Sequence, residues 1–81
     1  MTVHELKISP KYFEEVRKGF KTFELRKDDR NYKLCDLVTL KEYENGKYTG
    51  RELENLPITY ILRDCPEYGL KEGYCILGLY I

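Results

Sequence analysis

Alternation opens the chain. Val3, Glu5 and Lys7 interleave with His4, Leu6 and Ile8, a period near two that predicts a strand over 3–8. Ser9-Pro10 reads as an N-cap and first helical residue, because proline's missing N–H costs nothing there and the serine oxygen can accept an orphan amide. Tyr12, Phe13 and Val16 then supply an apolar stripe at spacings of three and four, and Gly19 sits where a left-handed C-cap is wanted. Alternation returns over 20–27, with Lys21, Phe23 and Leu25 on one face, turned inward by its aromatic, and Thr22, Glu24 and Arg26 on the other. A polar turn over 28–31 leads to a third strand over 37–43. Asn45-Gly46 is a type I′ hairpin signal, since both positions accept positive φ, and 47–53 pairs back. Another strand over 58–62 is entered through Pro57, a Gly-bounded loop occupies 64–73, and 74–81 is a nearly continuous apolar run.

Five to six short strands with one early helix predict an α+β, mostly β architecture. A small closed or half-open β-barrel is expected, because closure removes edges that a small sheet cannot cover. The 81 residues suffice for one domain, 1–81, with a thin core and at most a shallow cleft. Apolar residues make up 42% and include eight Tyr and three Phe, which excludes a disordered chain.

Fourteen Lys and Arg balance fourteen Asp and Glu, so general nucleic-acid packaging is excluded. The balance hides a split: residues 11–33 carry eight basic and five acidic side chains, and 34–81 carry five and eight. Cys35, Cys65 and Cys75 lack the paired spacing that grips zinc and suit a reducing compartment. Neither a signal-peptide core nor an apolar run long enough to span a bilayer appears, so a soluble, cytoplasmic protein without membrane partners is expected.

The only serine, Ser9, is explained as a cap, and the only histidine, His4, has no Asp partner at a recognisable spacing, which excludes a Ser-His-Asp hydrolase. Cys75, in the most apolar strand, reads as a core residue. No metal spacing or phosphate-binding glycine loop is present, so neither a metal nor a cofactor is expected. The concentrated chemistry lies at Gly19-Phe20-Lys21-Thr22-Phe23-Glu24-Leu25-Arg26, where Lys21, Arg26, Lys27, Arg30 and Lys33 fall within thirteen residues. A polar strand face of this kind is either merely solvated or lines a cleft. In a cleft, Lys21 and Arg26 would hold phosphate or carbonyl oxygens, with Glu24 orienting Arg26.

The helix, then G-x-K-T-x-E-x-R, then D-R-N-Y-x-x-x-D and an aromatic and aliphatic last strand resemble the ASCH domain of the PUA-like superfamily. HELKI at 4–8, KTFELRKDDRNY at 21–32, YTGR at 48–51, TYIL at 59–62 and GLKEGY at 69–74 carry the likeness to its small stand-alone bacterial and phage members. Cys35 departs from it, standing where glycine is common. The resemblance implies a β-barrel with an opening beside the helix and the G-x-K strand, and an RNA or nucleotide site drawn from Lys21, Thr22, Glu24, Arg26, Lys27, Arg30, Tyr32, Tyr48 and Arg51. It also implies an alternative, an amidohydrolase on N4-acylated cytidine or a related modified nucleoside, with Lys21 catalytic; Glu24 stands where that activity has a threonine and would be catalytic only in a modified mechanism, relaying a proton. Of that activity's residue set only Lys21 carries over. A third expectation is a protein-interaction module, in which the acidic half over 36–72 meets a partner or the last strand forms a homodimer.

Overall fold

A computed structural model describes residues 1–81, in the order β1 (Val3–Ile8), α1 (Pro10–Arg17), β2 (Phe23–Lys27), β3 (Leu37–Glu44), β4 (Lys47–Leu62), a 3-10 turn (Pro66–Tyr68) and β5 (Tyr74–Leu79). The strands form one mixed sheet in the order β1-β3-β4-β5-β2, in which β1 runs parallel to β3 and every other pair is antiparallel. The sheet is open. The expected closed or half-open barrel is not formed, because β1 and β2 end the sheet and share no main-chain ladder. Arginine side chains reach across instead: Arg26 Nη1 donates to the Lys7 carbonyl at 3.0 Å and Arg30 Nη1 to the Glu5 carbonyl at 2.9 Å. These bonds occupy acceptors on an edge that would otherwise offer itself to another strand.

The two strands expected over 47–53 and 58–62 are one. β4 runs sixteen residues, pairing with β3 as far as Pro57 and with β5 from Ile58 onward. Asn55 stands in the left-handed region at φ 57°, and its amide donates to Thr39 Oγ1 rather than to the ladder. Register shifts lie between Val38 and Leu40 and between Ile58 and Tyr60. Such irregularities bend a strand, and the bend lets one strand change partners. Pro57 is therefore a mid-strand residue. The hairpin at 45–46 forms as its chemistry dictates, with Asn45 at φ 52° and Gly46 at φ 80° joining Glu44 to Lys47.

Leu6 and Ile8 of β1, Val38 and Leu40 of β3, Ile58 of β4, and Cys75, Leu77 and Leu79 of β5 bury one cluster with Phe13 and Val16 of α1 and with Tyr32. β2 is shorter than the 20–27 alternation suggested and is inverted. Phe23 and Leu25 are 45% and 57% exposed, whereas Glu24 is 4% exposed. The register explains it: Glu24 lies opposite Leu77 and Arg26 opposite Cys75, both buried, while Leu25 lies opposite Ile76 on the outer face.

No helix is long and apolar enough to cross a membrane. The histidine without an expected partner has one: His4 Nε2 lies 2.9 Å from Asp36 Oδ2, both side chains buried. Cys35 sits at φ 72°, the conformation for which glycine is suited. Cys65, adjacent to the 3-10 turn, is buried, as is Cys75.

Candidate functional site

The end of β1, the start of α1 and the edge of β2 enclose a cleft of about 410 Å³, lined by Lys7, Ile8, Ser9, Tyr12, Lys21, Phe23, Glu24, Leu25 and Arg26. Ser9 occupies the N-cap position with extended backbone (φ −71°, ψ 156°), yet its hydroxyl makes no capping bond. Its carbonyl accepts the Phe13 amide at 2.8 Å, so the helix starts as expected while the hydroxyl is left to the cleft wall.

Glu24 organises the polar side. Its Oε2 accepts from Lys21 Nζ, and its Oε1 accepts from Arg26 Nη1 at 3.2 Å. A carboxylate this buried requires such partners, since an unpaired charge away from water is costly. Lys21 Nζ also donates to the Phe23 carbonyl at 2.7 Å and lies 5.4 Å and 5.0 Å from the ring centres of Tyr12 and Phe23. One of its three protons is left for a ligand. Arg26 bonds through Nη1 alone, to Glu24 and Lys7, so its Nε and Nη2 carry no protein partner. Those two donors form the fork that matches a carboxylate or phosphate edge. Two cations pair with one carboxylate, which leaves an excess of one positive charge around Glu24. Lys7 contributes to the wall, but its ammonium lies over the Tyr43 ring at 4.3 Å.

Of the residues expected at a site, the cleft gathers Lys21, Glu24 and Arg26. Thr22 is exposed beside it, and its carbonyl accepts the Leu79 amide. Lys27 is exposed and lies opposite Tyr74. Arg30 is engaged with β1. Tyr32 is buried in the core, edge-on to the His4 ring at 4.7 Å, so it is no stacking platform; burial raises its phenol pKa. Tyr48 packs edge-on against Tyr43, away from the cleft. Arg51 braces helix to sheet, donating to Glu14 and lying 4.5 Å from the Phe13 ring. Hydrogen bonds from Arg17 and then Arg51 lower the Glu14 pKa to about 2.

The sequence reading missed Ser9, Tyr12, Phe23 and Leu25 as wall residues. Tyr12 carried the available signal, because it lies at the margin of the helical stripe whose centre, Phe13 and Val16, is buried. No group of three or more His, Cys, Asp or Glu side chains is placed to hold a metal ion. The last strand cannot pair with a second copy through its edge, because β5 lies between β4 and β2.

The chain is 46% identical over 52 residues to the "Uncharacterized 12.9 kDa protein in GpA 3'region" of Escherichia phage P2, a stretch that covers 64% of this chain and 48% of that protein. The chain thus matches about half the length of this curated relative. The family match is to a different family from the ASCH domain, and the open sheet is not a PUA-like barrel. The ASCH assignment is therefore corrected, and the RNA-binding and N4-acylcytidine amidohydrolase roles it implied lose their support. The model described as "Domain of unknown function (DUF3850)" matches residues 3–79, and the chain belongs to that family.

Proposed function

We propose that the protein binds a small oxyanion-bearing ligand, a carboxylate or phosphate, in the cleft between β1, α1 and β2. The observation that carries this reading is the unpartnered Nε and Nη2 fork of Arg26, held in place by the Lys7 carbonyl and the buried Glu24. Glu24 fixes both cations by direct bonds, so a ligand would meet donors already positioned, and preorganisation of this kind lowers the ordering cost of binding. Lys21 supplies a further donor beside the fork, while Tyr12 and Phe23 shield it from water on two sides. Ser9 adds a hydroxyl able to donate or accept.

Titration of the 15N-labelled protein with sodium acetate and with sodium phosphate tests the reading. Saturable amide shifts confined to Ser9 and the Lys21–Arg26 segment are expected. Arg26→Gln weakens binding by at least about tenfold, the scale of a lost charge-assisted bond, whereas Lys71→Ala leaves it unchanged. Weak, non-saturating shifts scattered over the surface lysines would overturn the assignment.

A further inference from the structure

We infer that the cleft's ligand is an amphipathic anion: an oxyanion head carrying an unbranched apolar chain, whose tail crosses the edge of β2 into a second pocket. The inference rests on the oxyanion reading of Lys21 and Arg26 and adds to it the chemistry of the rest of the molecule.

The second pocket, about 220 Å³, is lined by Leu25, Gly69, Leu70, Lys71 and Tyr74. Leu25 lines both pockets. In an interior strand, alternate side chains would be separated by the sheet, with Glu24 and Arg26 on one side and Leu25 on the other. β2 ends the sheet, so its two faces meet at a rim with no main-chain partner. A ligand seated against Arg26 therefore reaches Leu25 without passing through the sheet.

The surface beyond the rim suits a hydrocarbon chain. Leu25 is more than half exposed, and its neighbour across the ladder, Ile76, is on the same outer face. Leu70 and Tyr74 continue the wall. The one charged side chain of the second pocket, Lys71, has its ammonium 5.5 Å from the Tyr74 ring centre. Glu24 is the sole carboxylate lining either pocket, and it is already paired with Lys21 and Arg26. Charge is thus concentrated at the head end and apolar surface at the tail end.

A chain-length series in the wild-type protein tests this: acetate, hexanoate and decanoate, each below its micellar concentration, followed by amide shifts. Affinity is expected to rise, by up to roughly fourfold per added methylene for a fully buried chain, with shifts spreading from Arg26 to Leu25, Gly69, Leu70 and Tyr74. Leu70→Gln should abolish the chain-length dependence while leaving acetate binding unchanged, and its amide dispersion reports whether it folds. Equal affinity for acetate and decanoate would overturn the inference while leaving the oxyanion site standing; absence of binding by all three would remove both. Decyltrimethylammonium, with the same tail and the opposite charge, should fail to bind, and binding as tight as decanoate's would overturn the proposal. Phosphatidylglycerol vesicles separate the sources: binding at the same residues would support a lipid as the donor of the chain, and decanoate binding without vesicle binding would support a free amphiphile.

Discussion

Three donors converge on the side chain of Asp36: His4 Nε2 at 2.9 Å and the amides of Thr2 and Lys33, each at 3.1 Å. The His4 bond, followed by the Thr2 amide, holds the Asp36 pKa below its ordinary value. The unfolded chain therefore takes up this proton more readily than the folded one, and the stabilisation is lost as pH falls through the depressed folded value. Urea midpoints of wild type and Asp36→Asn should differ most above about pH 5, with the gap shrinking below the ordinary aspartate value of about 3.9 and closing below the depressed folded value. A gap that stayed constant down to strongly acid pH would show that the carboxylate's charge contributes nothing. His4 and Asp36 are 32 residues apart, and only the parallel pairing of β1 with β3 brings them together. No local spacing in the sequence encodes that pair. The inversion of β2 was hidden for a related reason: alternation reveals that a strand has two faces, but neighbouring strands decide which is covered, and here Leu77 and Cys75 draw Glu24 and Arg26 inward.

At the level of elements, β4 depends on a few residues at its bend. Asn55 adopts the left-handed conformation that costs an ordinary L-residue about 1–2 kcal/mol, which asparagine and glycine tolerate better. Asn55→Ala should therefore lower stability by about 1 kcal/mol in chemical denaturation, and Asn55→Gly should lie near the wild type. Equal losses would locate Asn55's contribution in its side chain instead. The first strand, the helix start at Pro10, the 45–46 hairpin and the apolar last strand were legible because each has its own local signal: alternation, a cap position, a turn dipeptide, an apolar run. The continuity of β4 was not. Pro57 resembles a boundary because it has no amide to donate, yet its carbonyl accepts the Tyr80 amide and its position pairs with Leu37. Whether proline ends a strand depends on where the missing donor would have pointed.

For the whole molecule, the choice between open and closed sheet was beyond sequence patterning, because either arrangement can bury the same alternating apolar positions. In the open sheet two arginines, Arg26 of β2 and Arg30 of the turn after it, reach carbonyls of β1. Arg26→Ala with Arg30→Ala should leave those carbonyls unpaired on an edge, and exposed edges recruit further strands. Sedimentation velocity should then show self-association rising with concentration more steeply than in the wild type; identical profiles would mean that the arginines do not protect the edge. β4 has a mechanical consequence as well. It alone joins the β1-β3 half of the sheet to the β5-β2 half through main-chain pairing, so the two halves form the arms of a spring clip with the bend at Asn55 as its fulcrum. The distance between the jaws at β1 and β2 then depends on the curvature of a strand that does not line the cleft at all, as well as on the arginine bonds that span the gap.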